Sequence, residues 1–184
     1  MKSRWPGGPW KIRVFWPPQF LHGSLFRPFS VPFSGLAYAP WNVGNYGLDQ
    51  AGSKRASTGS WAGDLQECRR QGRQWLPVVY PGFSWDNLMK KSAGTTEIPR
   101  RRGQFLWEQF HTLARMGVDS AYVAMFDEVD EGTAIFKVTS APPAHAHFAG
   151  YEGLPSDWYL RLVGEGVRML RRQRPVTAEI PIQP

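Results

Sequence analysis

Four carboxylates lie in one short stretch, directly after an apolar run. Residues 121–126 (AYVAMF) are followed by Asp127, Glu128, Asp130 and Glu131. Burying a carboxylate costs several kcal/mol unless it is paired or used, so acids attached to an apolar strand need a reason. Neighbouring carboxyl groups suit acid–base chemistry, because one protonates a leaving oxygen while its partner stays ionised as base or nucleophile. The segment therefore favours a paired-carboxylate site.

Two other interpretations of the same acids stay open. The strand could simply end here, with its acids solvated or capping the next element. Several carboxylate oxygens could also bind a divalent cation, since hard ions need such ligands. Asp127 and Asp130 could shift the pKa of the two glutamates by like-charge repulsion, or bind a cation.

Exposed aromatic rings beside polar groups are a second type of candidate. Trp41, Tyr46 and Trp85 follow predicted strands, where they could stack on flat ligands such as sugar rings or pack their own loops. Trp85 with Asn87 is the preferred pair, because a sugar site combines an apolar platform with hydrogen-bonding groups.

Other polar clusters favour ordinary surface roles. The arginines at 100–102 are typical of a solvated helix start, and His145 and His147 lack a nearby third metal ligand, so no metal is predicted.

Strands and helices alternate along the part of the chain that carries these residues. Short apolar runs predict strands at residues 36–39, 75–80 and 121–126, the last buried on both faces. Residues at helical spacing predict three helices, with the apolar sets Trp61, Leu65 and Cys68; Leu106, Phe110, Leu113 and Met116; and Leu160, Val163, Val167 and Leu170. Ser60 is the predicted cap of the first helix.

This order predicts an α/β fold with parallel strands. In barrels built from such units, the chemistry lies on the loops at the carboxyl ends of the strands. A whole barrel takes about 250 residues, so the sequence predicts roughly the last three βα units of a (β/α)₈ TIM-type barrel in residues 36–184. Residues 1–35 are rich in Pro, Gly and Arg and show neither the helical nor the strand period, so they are predicted to be irregular, as either a linker or non-native sequence.

Composition weighs against several classes of function. The net charge of +7 is concentrated in an acid-free stretch before Asp49, and the remaining residues hold 17 basic and 15 acidic side chains. Nucleic-acid binding therefore loses most of its support. The single cysteine, Cys68, excludes an internal disulfide. No run of about 18 apolar residues occurs, so no membrane span is predicted, and the start lacks the apolar core of a secretory signal. The compartment stays open.

The acidic segment resembles a known signature. Residues 128–133 (EVDEGT) are similar to the Glu-x-x-Glu-Gly-Thr signature of glycoside hydrolase family 99, the endo-α-mannosidase and endo-α-mannanase family. The run 125–138 (MFDEVDEGTAIFKV) is closer still to related family 71/99-like proteins, some of them named xylosidase/arabinosidase. Four further blocks resemble that group in the same order, at residues 40–44, 76–88, 98–110 and 154–170.

The resemblance implies a (β/α)₈ barrel that cleaves glycosidic bonds with retention of configuration. It assigns Glu128 as the base that assists the sugar's 2-hydroxyl, and Glu131 as the general acid and then the base. Both roles require the strand to end near Glu128, because residues three apart on a strand face opposite sides. Family 99 usually has an aromatic residue and a histidine where this chain has Val129 and Asp130, so α-mannoside specificity does not carry over.

The sequence thus predicts a glycosidase acting on α-linked glycans such as mannosides, or on xylan/arabinan-type substrates, without a cofactor. The predicted partner is an oligosaccharide or polysaccharide, with no nucleic acid and no membrane. The alternative is a catalytically silent carbohydrate-binding remnant of such an enzyme. Predicted substrate contacts are Trp41, Tyr46, Trp85, Asn87, Asp127 and Asp130.

Overall fold

A computed structural model of the chain describes residues 37–139 and 141–184. The irregular segment predicted at residues 1–35, and the first residue of the strand predicted at 36–39, lie outside the described residues. In chain order the elements are β1 (Ala37–Tyr38), β2 (Tyr46–Leu48), β3 (Lys54–Ala56), α1 (Trp61–Arg70), β4 (Gln74–Trp75), β5 (Val78–Val79), α2 (Gln104–Arg115), β6 (Tyr122–Val123) and α3 (Trp158–Leu170).

Residues 74–79 contribute one strand to each of two parallel strand pairs. β1 pairs with β4, and β5 pairs with β6. The single strand predicted at 75–80 is divided into β4 and β5 because Pro77 has no N–H to donate. The carbonyl of Pro77 still accepts the N–H of Tyr122 at 2.9 Å, so hydrogen bonding continues across the gap. The predicted α/β class with parallel strands is confirmed, while a closed barrel is not formed by the described residues alone.

The third predicted strand is shorter and less covered than expected. β6 contains two residues, and the side chains of Tyr122 and Phe126 are 41% and 53% exposed. The prediction of a strand buried on both faces is therefore wrong. Val123 packs against the main core, whereas the Tyr122 ring is largely exposed, with the centroid of the Trp41 ring 6.4 Å from its own.

Helices α1 and α2 follow the predicted periodicity. Trp61 and Cys68 of α1 are buried, and Leu106, Phe110 and Leu113 of α2 are fully buried. The predicted capping role of Ser60 is wrong, because its hydroxyl bonds the Asp64 carboxylate at 3.0 Å and no backbone N–H of the first turn.

Helix α3 is rotated relative to the predicted apolar stripe. Its buried residues include Tyr159, Leu162 and Met169, whereas Leu160, Val163 and Val167 of the predicted set are only half-buried. The reason is close packing: a Cβ on Gly166 would lie 2.6 Å from the Phe110 ring of α2. The absence of a side chain at Gly166 therefore decides which face of α3 meets α2.

Residues 46–56 contain a hairpin, β2–β3, that the sequence analysis did not predict. Tyr46–Leu48 pairs antiparallel with Lys54–Ala56, and the Asp49 carboxylate accepts the backbone N–H groups of Ala51 and Ser53 at 3.0 and 2.9 Å. Because the hairpin contains no buried residue, its strands have no apolar alternation to reveal them. Arg55 fastens it to α2 through an ion pair with Glu108.

None of the helices in the described residues is long and apolar enough to cross a membrane.

Two glycines of α3 test the packing of this helix. Gly166→Ala forces the Phe110 ring to move, and we expect a loss of about 1–3 kcal/mol in unfolding free energy. Gly164→Ala, where nothing lies within 4 Å, is the matched control and should gain about 0.5–1 kcal/mol from helix propensity. Urea unfolding followed by circular dichroism measures both. Equal changes in the two variants would contradict the described packing.

Candidate active site

The acidic segment forms a closed loop after β6. The parallel ladder ends where the N–H of Ala124 donates to the carbonyl of Val79 at 2.9 Å. The chain then turns back on itself: Met125 N–H donates to Thr133 O at 3.2 Å, and Phe136 N–H donates to Phe126 O at 2.8 Å. The strand therefore ends before Glu128, which is the condition that the sequence set for Glu128 and Glu131 to serve one ligand.

The Glu128 carbonyl lies at the centre of this loop. It accepts the N–H groups of Thr133 and Ala134 at 3.1 and 2.8 Å, and the Glu128 side chain accepts the N–H of Asp130 at 3.0 Å. Thr133 is fully buried, and its hydroxyl donates to the same carbonyl at 3.3 Å. These bonds give a physical reason for a threonine at this point of the loop.

Gly132 allows the turn. Its φ of +63° lies in the left-handed region, and a Cβ there would be 2.9 Å from the Ser84 nitrogen and 3.0 Å from the Ala149 Cβ. Both the backbone angle and the lack of space therefore require glycine. The Glu-Gly-Thr sequence at residues 131–133 is thus a consequence of how tightly the loop is folded.

Glu131 is half-buried, and its carboxyl has an altered acidity. Burial raises the pKa of Glu131 above its ordinary value, a hydrogen bond from the Trp85 side chain lowers it, and the charge of Glu128 raises it, with a net increase. The backbone carbonyl of Glu131 accepts the N–H of Ser84 at 2.8 Å. A carboxyl with a raised pKa holds its proton at higher pH, which suits a general acid.

The structure brings Trp85, Asn87 and Asp130 to the same loop. The Asn87 amide nitrogen donates to the Asp130 carboxylate at 2.9 Å, and the Asn87 oxygen accepts the backbone N–H of His147 at 3.2 Å. Trp85 contacts the Glu131 carboxyl. Asn87 thereby links the loop after β6 to residues near His147, and both ends of its amide are already engaged.

Asp86 is a residue that the sequence analysis did not single out. It is 1% exposed, and one of its carboxylate oxygens accepts both the N–H and the hydroxyl of Thr96 at 2.7 Å. Burial raises the pKa of Asp86, but hydrogen bonds, chiefly from Thr96, together lower it by more than burial raises it. The net change in the pKa is therefore a decrease. Asp86 thus fixes the loop on which Trp85 and Asn87 lie. An acid inside an otherwise apolar stretch was the available signal.

The remaining predicted contacts are Trp41, Tyr46 and Asp127. Trp41 is 53% exposed, and its ring centroid is 6.4 Å from that of Tyr122. Tyr46 lies in the hairpin, where the Lys54 ammonium stands 4.7 Å from its ring centroid. Asp127 is exposed. Their roles as substrate contacts stay predictions.

The two carboxyls are partly buried and lie outside the two main surface depressions. Two shallow depressions, of about 260 and 290 Å³, flank helix α2 near Glu108 and His111, and neither is lined by Glu128 or Glu131. Within residues 37–139 and 141–184, no three His, Cys, Asp or Glu side chains are grouped as a metal site would require, so the divalent-cation interpretation gains no support.

The buried state of Glu131 predicts a pH-dependent stability. Because its pKa is higher in the folded chain than in the unfolded chain, folding binds protons between the two values, and the unfolding free energy falls as pH rises through that window. Glu131→Gln removes this penalty, so we expect it to raise the unfolding midpoint more at about pH 7 than at about pH 3.

Thermal unfolding at both pH values measures this difference. Glu179→Gln, at an exposed carboxyl, controls for the substitution itself. A Glu131→Gln effect that is the same at both pH values would show that burial does not perturb Glu131.

Comparison with known proteins finds similarity at the level of fold. No protein-family model matches the chain, and no curated protein matches it. Among solved structures, two of the glycoside hydrolase family 99 endo-α-mannosidase from Bacteroides thetaiotaomicron are similar, with TM-scores of 0.61 and 0.62 at 20% sequence identity. One of them is a complex with bis-tris propane.

These matches cover 75% and 76% of this chain but only 41% and 39% of the solved chains. The chain therefore spans about two fifths of the length of these enzymes. The resemblance drawn from the acidic signature is supported independently by the structure: the described residues have the fold of part of a glycoside hydrolase family 99 endo-α-mannosidase.

Proposed function

We propose that this chain is the catalytic part of a retaining glycoside hydrolase acting on α-linked glycans. Its three strand-bearing segments, at β1, β4–β5 and β6, correspond in this proposal to consecutive βα units of a (β/α)₈ barrel. Glu128 and Glu131 follow the last of these strands, at the carboxyl end where barrel enzymes hold their chemistry. Partial coverage of the family 99 structures supports this correspondence.

The observation that carries the proposal is the position of the two glutamates in one folded-back loop, directly after the last strand. The Glu131 carboxyl is half-buried there, and burial together with the nearby charge of Glu128 raises its pKa. A carboxyl that keeps its proton to higher pH, with a second carboxyl close by, is what a glycosidase needs, because one group must donate a proton while the other acts as base.

The proposed reaction follows the roles that the family resemblance implies. The Glu128 carboxylate accepts the proton of the sugar's 2-hydroxyl as that oxygen attacks the anomeric carbon. The bond to the leaving group breaks, and its electron pair takes the proton of Glu131. Glu131, now ionised, removes a proton from the water that attacks the same carbon. The bond between that carbon and the 2-oxygen breaks, and the 2-oxygen takes back its proton from Glu128. Two displacements at one carbon give retention.

The substrate class follows the site and the relatives together. The similar solved structures are endo-α-mannosidases, which favours α-linked mannosides, and xylan/arabinan-type glycans are the second candidate. The proposed polymer contacts are Trp41, Tyr46, Trp85, Asn87, Asp127 and Asp130. Trp85 is the best supported of these, because it touches the proposed acid.

A catalytically silent carbohydrate-binding remnant is the alternative function. The observation in its favour is that neither of the two depressions beside α2 is lined by Glu128 or Glu131. Such a protein would bind oligosaccharides without cleaving them.

Hydrolysis of α-mannan, xylan and arabinan tests the proposal, using this chain alone and joined to the N-terminal half-barrel of a family 99 enzyme. We expect Glu128→Gln and Glu131→Gln each to lower the rate by about 10²–10⁴-fold. Glu179→Gln, an exposed matched control, should leave it unchanged.

Leaving-group chemistry separates the two roles. With a nitrophenyl α-glycoside, whose leaving group needs little protonation, Glu131→Gln should lose much less activity than Glu128→Gln. If Glu131→Gln loses as much activity on the nitrophenyl α-glycoside as on the polysaccharides, the assigned roles are refuted. Oligosaccharide binding without hydrolysis, even in the joined form, would favour the silent remnant.

A further inference from the structure

Arg100 is a buried cation that touches the loop of Glu131. Its side chain is part of a residue only 2% exposed, and its Nη2 donates to the carbonyls of Gly132 and Ala134 at 2.9 and 2.8 Å. The sequence predicted a solvated helix start for residues 100–102, and for Arg100 this is wrong. A guanidinium reaches the interior here because backbone carbonyls there accept its N–H groups.

The surroundings of Arg100 stabilise its charge without a direct ion pair: the Tyr159 side chain hydrogen-bonds it, and the Glu152 carboxylate acts on it from a greater distance. Its guanidinium lies over the rings of Tyr151 and Tyr159, at 4.8 and 4.4 Å from their centroids. Among the ion pairs of the described residues, none includes Arg100. Burying a charge is costly, and an apolar side chain would fill the space without that cost. What an apolar side chain lacks is the ability to hold two carbonyls.

Tyr151 holds the same segment from a second position. Its hydroxyl lies 3.0 Å from the Ala134 carbonyl oxygen and 2.6 Å from that of Phe136, and its single proton is shared between them. The carbonyls of residues 132, 134 and 136 thus meet Arg100 and Tyr151 on one side, as alternate residues of an extended segment do. The N–H groups of Ala134 and Phe136 bond the carbonyls of Glu128 and Phe126 within the loop.

Arg100 and Tyr151 are themselves tied together through their neighbours. Glu152 accepts the backbone N–H groups of Arg101, at 3.0 Å, and of Arg102. Arg101 and Arg102 have φ values of 48° and 53°, which orient their N–H groups toward that carboxylate. Glu152 therefore connects the segment of Arg100 to the segment of Tyr151.

We propose that Arg100 and Tyr151 form a clamp that positions the backbone of Glu131 and Glu128 for the chemistry proposed above. They are positioning residues, because they touch the carbonyls of residues 132–136 and neither carboxyl group. The catalytic purpose of the clamp rests on the proposed function. The effect of the clamp on the loop does not depend on that function and can be tested without substrate.

Backbone amide hydrogen exchange in the 184-residue chain tests the clamp. Tyr151→Phe removes one oxygen and keeps the ring over Arg100. We expect the amides of Thr133, Ala134 and Ser84 to exchange about tenfold faster, the equivalent of one lost hydrogen bond. The amide of Ala124, in the strand ladder, should change only as global stability does.

Tyr80→Phe is the matched control. It removes a buried hydroxyl that donates to the Asn45 carbonyl at 2.6 Å and bonds none of the loop carbonyls, so loop exchange should change only as global stability does. Arg100→Met should accelerate loop exchange more than Arg100→Lys, because lysine retains N–H donors. The Trp85 indole N–H resonance should shift more in Tyr151→Phe than in Tyr80→Phe, since Trp85 reports on Glu131.

The outcomes separate this inference from the proposed function. Loop exchange unchanged in Tyr151→Phe overturns the clamp, even if Glu131-dependent hydrolysis is found. Faster loop exchange in a chain that hydrolyses no glycan leaves the clamp standing as a loop device and removes the proposed function. If the Arg100 variants do not fold, Tyr151→Phe against Tyr80→Phe still decides the question.

Discussion

The reversal of the backbone after β6 is the constraint on which the candidate site depends. On a continued strand, residues three apart would face opposite sides, and Glu128 and Glu131 would have no common ligand. The ladder ends at Ala124, and the Glu128 carbonyl collects the N–H groups of two later residues. Only glycine fits at position 132, because φ is positive there and the Ser84 nitrogen leaves no room for a Cβ. The carboxylates are therefore placed by main-chain hydrogen bonding, and the side chains around them act on that backbone.

The electrostatics of the site follow from the same packing. The neighbouring segment reaches the loop at Ser84 and Trp85, and these contacts half-bury Glu131. Burial and the Glu128 charge raise the pKa of Glu131, while Trp85 limits the increase. A buried carboxylate, Asp86, stays ionised more readily because it accepts several hydrogen bonds. The pKa values of Glu131 and Asp86 thus shift in opposite directions. Asp86 accepts several hydrogen bonds, whereas burial is the main influence on Glu131.

The spacing of apolar residues along the sequence correctly predicted the elements that are stabilised by an apolar face. Helices α1 and α2 follow from apolar spacing, and the paired acids follow from their position after an apolar run. The rotation of α3 was missed because it depends on the contact between Gly166 and Phe110, which lie far apart in the sequence. The hairpin β2–β3 was missed because polar contacts stabilise it. Arg100 looked solvated, since its partners are carbonyls more than thirty residues away. Such contacts leave no periodic signal.

Direct titration of the Glu131 carboxyl by carbon-13 NMR, in the native chain and in Glu128→Gln, tests the central claim that these two carboxyls form one interacting pair. The account predicts a Glu131 pKa above the ordinary value in the native chain, and a lower pKa in Glu128→Gln, because the neighbouring negative charge is gone. A Glu131 pKa at or below the ordinary value, or one that does not respond to the loss of Glu128, would contradict it.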